Sequence, residues 1–171
     1  QGQVYESFNM AELWKLPVVY VIENNQYAMG TSVARSSALT DFSKRGVSFN
    51  IPGIKVDGMD VEAVQAAGAE AMAHCRSGKG PIILEMKTYR YRGHSMSDPA
   101  KYRSRDEVTE VREKRDPIDH FGKKLIEGGV VTEEDLKAMD NEIKKTVIAA
   151  ADFATESPEP GLEELYTDIY A

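Results

Sequence analysis

The run Val18-Val19-Tyr20-Val21-Ile22, entered through Pro17 and left through Glu23 and two adjacent asparagines, constrains this chain more than any other stretch. Five β-branched or aromatic residues without alternation predict a parallel strand covered on both faces, and with it an α/β fold. Open parallel sheets bind ligands at the carboxyl edge of their strands, which is where Asn24 and Asn25 fall. Each asparagine offers a neutral side-chain carbonyl oxygen, the kind of donor that a hard cation such as magnesium accepts beside phosphates. The competing reading is a plain polar turn, because asparagine tolerates left-handed backbone. For an isolated pair that reading is the stronger, so the neighbours must decide.

The chain has 171 residues, 42% hydrophobic and 29% charged, which suits one globular domain spanning residues 1–171. Its apolar runs, Val18 to Ile22 and Pro81 to Leu84 among them, are too short to cross a bilayer, and no basic-then-apolar leader opens it. It therefore reads as a soluble intracellular protein with no membrane partner. One cysteine, Cys75, excludes an internal disulfide framework and a cysteine-rich zinc site, and its setting in AEAMAHCRSG is that of a small core residue. A net charge of −7 argues against nucleic acid. Residues 87–115 nevertheless hold nine Lys/Arg against five Asp/Glu, a local basic excess that marks a candidate anion site.

A helix is predicted from Val4, Phe8, Met10, Ala11 and Leu13 to Trp14, closed by Pro17. Residues 26–49 lack periodicity and read as a long loop with one short helix near Leu39 to Lys44. A strand at Ile54 to Val56 leads to Asp60, which can cap a helix whose stripe is Val61, Val64, Gly68, Met72 and Cys75. The Gly78-Lys79-Gly80 turn then gives way to a third strand, PIILEMKT, completing a strand, helix, strand crossover of the parallel kind. After an irregular stretch from Tyr89 to Arg105 the pattern turns helical from about residue 106: Asp106 to Lys114, Pro117 to Glu127 and Thr132 to Thr155. Thr132 and Asp135 form a capping pair there, and Leu136, Met139, Ile143, Val147 and Ala150 make a stripe suited to packing on the sheet or a partner.

Two irregular stretches thus follow two parallel strands and should meet at one sheet edge. The first brings asparagine oxygens. The second brings Arg90, Arg92, His94, Ser95, Ser97, Arg103 and Arg105. Arginine forks suit phosphate oxygens, and a histidine in a basic setting can donate to phosphate or carry a proton. Together they describe a pocket for a metal-bound diphosphate; the alternative is a solvated loop in which the arginines pair with Asp98, Asp106 and Glu107. His74 and His120 fall within helices and read as structural.

The motifs ENNQYAMGTS, SKRG at 43–46, IPGIKVDGMD at 51–60, CRSGKGPIILE at 75–85 and TYRYRGHSMSDP at 88–99 strongly resemble the alpha subunits of the decarboxylating component of pyruvate dehydrogenase complexes, which are thiamine-diphosphate-dependent 2-oxoacid dehydrogenases. The resemblance covers essentially the whole chain and identifies it as the C-terminal part of such a subunit, with a partial thiamine-diphosphate-binding fold and a helical extension. It implies thiamine diphosphate and Mg2+ as cofactors, Asn25 as a magnesium ligand through its side chain and Tyr27 through its backbone carbonyl. It implies that Arg90 and His94 contact the diphosphate, with His94 catalytic at the active-site mouth. Ser95 matches the principal regulatory phosphorylation position and Ser32 a minor one, while Lys101 replaces the serine of a third.

The implied reaction is oxidative decarboxylation of pyruvate with acyl transfer to the lipoyl group of the acyltransferase component, the step between glycolysis and acetyl-CoA. The implied assembly is a heterotetramer of two alpha and two beta subunits within the multienzyme complex, cytoplasmic in a bacterium and in the mitochondrial matrix of a eukaryote. The magnesium-binding aspartate of the family should lie just before Gln1, and the glutamate that activates the cofactor lies on the beta subunit. The polypeptide is therefore read as a fragment, inactive alone. Alternatives are an acetoin or branched-chain 2-oxoacid dehydrogenase alpha subunit, or a non-catalytic assembly fragment whose loop cations dock an acidic partner.

Overall fold

Pro81, Ile82, Ile83, Leu84 and Glu85 are all buried, and the sheet is built around them. The computed structural model describes residues 2–170, which fall into two units, one ending at Phe121 and one beginning at Gly122. In the first, β5 (Ile82–Lys87) is the central strand and pairs in parallel with β1 (Val19–Asn24) on one side and β4 (Gly53–Asp57) on the other. Side chains alternate across β5. Ile82 and Leu84 join Ala71 and Cys75 of α3 (Val61–Arg76) on one face, with Val19, Ile54 and Met86 at the margin. Ile83 joins Phe8 of α1 (Gly2–Leu13) and Ile51 on the other, with Tyr20, Ile22 and Phe49 around them. Each such fully buried side chain stabilises the fold by about 1.5–3 kcal/mol.

The strand covered on both faces is therefore β5 and not β1. Val19 packs against the α3 cluster, but two residues on Val21 is 54% exposed and lines an open groove with Val64 and Met86. On the α3 face the cover ends before the carboxyl half of β1, whereas on the other face Ile22 is packed and Asn24 is buried.

The crossover from β4 through α3 to β5 forms as the sequence indicates. Asp60 caps α3, its side chain accepting from the backbone N–H groups of Glu62 at 3.0 Å and Ala63 at 3.1 Å. The buried stripe of α3 differs from the expected one: Ala67, Ala71 and Cys75 face the sheet, whereas Met72 is 48% exposed. Small residues let the helix lie close on the strands. Cys75 is a core residue, its Sγ 3.5 Å from the Val18 carbonyl and its thiol pushed up by burial.

The stretch expected to be a long loop with one short helix near Leu39 to Lys44 is ordered in several short pieces, and the helix falls slightly later. β2 (Tyr27–Ala28) pairs antiparallel with β3 (Thr31–Ser32), followed by α2 (Val33–Ser36) and a 3-10 helix over Phe42–Phe49. Strands of two residues carry no period to detect. The 3-10 helix lies so close to β4 that a Cβ on Gly53 would come 1.9 Å from the Ser43 carbonyl oxygen, so only glycine fits there.

α4 (Arg105–Arg115) begins at Ser104, whose Oγ accepts from Glu107 N at 3.1 Å. Its last residue, Arg115, meets Asp57 at 2.5 Å. α5 (Pro117–Glu127) follows and runs across the unit boundary. In the second unit α6 (Glu133–Glu156) carries the anticipated capping box, Thr132 and Asp135 each bonding the other's backbone N–H. Its apolar stripe is not buried within the unit: Met139, Ile143 and Val147 are 50%, 61% and 61% exposed. No helix among the described residues is long and apolar enough to cross a membrane.

Candidate functional site

The carboxyl ends of β1 and β5 lie side by side, Asn24 opposite Lys87, so the segments that leave them start together. The Thr88 N–H donates to the Asn24 carbonyl at 2.9 Å and the Gly58 N–H to the Lys87 carbonyl at 2.9 Å, extending the ladder past the strand ends. The two loops expected to meet at this edge do so.

The adjacent asparagines have different jobs. Asn24 closes β1 and is buried. Its Nδ2 donates to Oε1 of Glu85 at 2.6 Å, and its Oδ1 accepts from Gln26 N and from Gln26 Nε2, both at 3.2 Å. A side chain so fully used is a structural turn element, which corrects its reading as an available ligand. Glu85 has no exposed surface, and its Oε2 accepts from the Ser43 N–H at 3.0 Å. Nothing in the sequence reading singled out Glu85. The signal was there: one acid inside an otherwise apolar strand, PIILE, is costly to bury unless donors meet it.

Asn25 is half-buried, and among the described residues its Oδ1 accepts only from Tyr27 N, at 3.3 Å. Gln26 between them takes a left-handed φ of 73°, and the Val33 N–H donates to its carbonyl at 3.0 Å. The turn therefore presents Asn25 Oδ1 next to the hairpin that carries Tyr27. Magnesium takes oxygen ligands in near-octahedral array. A side-chain amide oxygen with spare lone pairs beside a backbone carbonyl fits part of such a set, and anionic oxygens from elsewhere would complete it. Among the described residues, no group of three or more His, Cys, Asp or Glu could hold a metal by itself.

The segment after β5 organises around Asp98. Its Oδ2 accepts from the His94 N–H at 2.7 Å and from the Tyr102 hydroxyl at 3.0 Å, and its Oδ1 from the Ala100 N–H at 2.9 Å. His94 and Ser95 are exposed, and Ser95 Oγ lies 3.0 Å from Ser97 Oγ. With Met29 and Gly30 of the hairpin, His94, Ser95, Lys101 and Tyr102 line one cavity of about 310 Å³. Arg90 is half-buried and Arg92 exposed. Asp98 and Glu107 are engaged by backbone and tyrosine donors, and among the described residues no ion pair joins Arg90, Arg92, Arg103 or Arg105 to Asp98, Asp106 or Glu107. Ser32 ends β3 and precedes α2, its carbonyl accepting from Ser36 Oγ at 3.0 Å. His74 lies in α3 and His120 in α5.

The His94 and Ala100 backbone N–H groups, aided by the Tyr102 hydroxyl, hold the Asp98 carboxyl below the usual carboxylate range. A carboxylate depressed on folding contributes order that is complete above its unfolded pKa and is lost as pH falls through the folded value. Acid titration followed by NMR should therefore move the His94 and Ala100 amide resonances only below the ordinary aspartate range. In an Asp98→Asn variant that acid transition should be gone.

The described residues thus form a parallel α/β sheet with a core on each face, and its carboxyl edge brings side-chain oxygens on one loop beside basic residues on the next. Comparison with known proteins gives the family: the model of the dehydrogenase E1 component matches residues 1–163, and the chain belongs to that family. It is 67% identical over 169 residues to the pyruvate dehydrogenase E1 component subunit alpha of Rhizobium meliloti, covering 99% of this chain and 49% of that protein. It is 59% identical to the corresponding subunit of Zymomonas mobilis, covering 99% and 48%. To the human somatic mitochondrial form it is 54% identical over 172 residues, covering 100% and 44%. The chain thus spans about half the length of the curated relatives it matches.

Proposed function

We propose that this chain is the C-terminal part of the alpha subunit of a pyruvate dehydrogenase E1 component, an oxidoreductase that decarboxylates pyruvate and passes the acyl unit to the lipoyl group of the acyltransferase component. The observation that carries it is the meeting of the Asn25–Tyr27 turn and the Arg90–Tyr102 segment at the carboxyl edge of β1 and β5, in a chain of this family. Relatives named for pyruvate, bacterial and mitochondrial alike, favour pyruvate over acetoin or branched-chain substrates. The compartment is accordingly the cytoplasm or the mitochondrial matrix.

Asn25 Oδ1 and the Tyr27 carbonyl would hold Mg2+, with anionic oxygens of a bound diphosphate making up what this turn lacks. Arg90 and His94 bind that diphosphate, and His94, exposed at the rim, donates to it or carries a proton for the substrate. Thiamine diphosphate, when bound, supplies the carbanion chemistry by which carbon dioxide leaves. A beta subunit completes the active site in a heterotetramer of two alpha and two beta chains. The complete alpha subunit with its beta partner should turn over pyruvate faster than acetoin or a branched-chain 2-oxoacid, and only with Mg2+ and thiamine diphosphate. Turnover independent of both would overturn the proposal.

Ser95 and Ser32 are the proposed regulatory positions. A phosphate on Ser95 would bring up to two negative charges beside His94, Ser97 and Asp98, where the loop already turns on a carboxylate. Ser95→Glu in the complete enzyme should lower turnover at least about tenfold, a cost of about 1.4 kcal/mol in barrier. Unchanged turnover would remove Ser95 from this role.

A further inference from the structure

Arg103 is one of the cations that the sequence groups in the second loop; it is not among the residues proposed above to bind the diphosphate, yet it touches both loops. Its Nη1 donates to the Arg90 carbonyl. Its guanidinium carbon lies 5.2 Å from the ring centroid of Tyr89, 5.6 Å from that of Tyr102 and 5.9 Å from that of Tyr27. Tyr27 comes from the hairpin after β1, whereas Tyr89, Arg90 and Tyr102 come from the segment after β5. Its Nε and Nη2 are buried and make no hydrogen bond among the described residues, and ring faces surround the cation where a carboxylate would ordinarily stand. The rings are themselves fixed: the Tyr89 hydroxyl donates to Glu107 at 2.8 Å, the Tyr102 hydroxyl to Asp98 at 3.0 Å, and the Tyr27 and Tyr102 rings lie 5.3 Å apart.

We propose that Arg103 is a positioning residue that clamps the Arg90–His94 segment onto the Tyr27 hairpin. Two routes run from it. One passes directly through the Arg90 carbonyl. The other passes through Tyr102 to Asp98, which holds the His94 N–H. Both groups proposed to bind the diphosphate are thereby held in register with Tyr27, whose carbonyl is proposed to bind the metal. A guanidinium suits this because its plane can lie among several rings while an edge N–H reaches a carbonyl; an ammonium is a point charge that cannot do both.

The inference rests on the function proposed above, and its test separates the two. Arg103→Ala and Arg103→Lys are made in the complete alpha subunit assembled with its beta partner. Hydrogen exchange without cofactor should rise over residues 25–32 and 88–104 together, with residues 82–87 unchanged, and Arg103→Lys should show a smaller rise in the same places. The thiamine diphosphate concentration for half-saturation should rise about tenfold or more for Arg103→Ala, the size of effect typical of groups that orient ligands from behind. At saturating cofactor, turnover should stay within a factor of about two of the parent.

Exchange that rises in only one loop, or equally in β5, overturns the clamp. So does unchanged half-saturation. If the parent enzyme needs no thiamine diphosphate, the functional proposal fails, and exchange in the two loops still decides the clamp by itself. If Arg103→Ala does not fold, Arg103→Lys decides.

Discussion

Glu85→Ala is expected to destabilise the folded chain by about 4 kcal/mol, since it strands two buried donors at about 1–3 kcal/mol each and opens a cavity at the centre of the sheet. The donors are Asn24 Nδ2 at 2.6 Å, from β1, and the Ser43 N–H at 3.0 Å, from the 3-10 helix. Neither has water to turn to, because Asn24, Ser43 and Glu85 are all buried. Glu85→Gln conserves shape but not valence. Glutamine offers one oxygen and one NH2 to two donors, so one N–H must face another. Rotating the Asn24 amide to relieve this would take its oxygen away from Gln26, which it holds at 3.2 Å. The glutamine variant should therefore cost about 2 kcal/mol and loosen the turn, an intermediate loss set by one unmet donor instead of two. Urea denaturation followed by circular dichroism checks both values; a glutamine variant as stable as the parent would show that the carboxylate is not what ties β1 to the 3-10 helix.

How far the sequence foretold this arrangement depends on the kind of signal. Asp60 and the Thr132/Asp135 pair were legible because a cap is a local event: one side chain meets N–H groups two or three residues on. The parallel crossover was legible from strand, helix and strand lengths. Burial was read less well, because which of two apolar runs lies in the middle of a sheet depends on what covers each. Val18 to Ile22 and Pro81 to Leu84 look alike in sequence, yet β5 has strands on both sides and a core on both faces. On α3 the buried stripe fell on alanines, where hydrophobicity is weak but close approach matters.

At the site, residue types were legible and partners were not. The asparagine pair and the cluster of arginines were evident, and their convergence followed from two parallel strands. That one asparagine is tied into the core while the other makes a single local hydrogen bond could not be read, since the distinction depends on Glu85, 61 residues away in sequence. The same holds for Arg103. In sequence it is one cation among several; in the structure it is the one ringed by Tyr27, Tyr89 and Tyr102. Tyr91, which the sequence reading did not single out, has its phenol pushed up to about 12 by burial and by the Asp116 carboxylate.

Asn25→Ala should leave the fold almost intact and remove most of the cofactor affinity. The side chain makes one long hydrogen bond, 3.3 Å to Tyr27 N, so its loss should cost no more than about 1 kcal/mol of stability. As a proposed magnesium ligand its loss should weaken binding of magnesium and thiamine diphosphate to the assembled enzyme by about 100-fold, the upper end of what even an outer group does to a metal. Turnover at limiting cofactor should fall in proportion.

Asn24→Ala should do the reverse. It leaves Glu85 Oε1 without its 2.6 Å donor in a buried place and frees the Gln26 turn, so the midpoint of denaturation should drop by the equivalent of about 2 kcal/mol. Calorimetry with magnesium and thiamine diphosphate, run beside denaturation on both variants, separates two neighbouring residues of one type by what faces them. If Asn25→Ala binds the cofactor as tightly as the parent, its Oδ1 does not reach the metal. The basic segment would then have to hold the diphosphate without help from this turn.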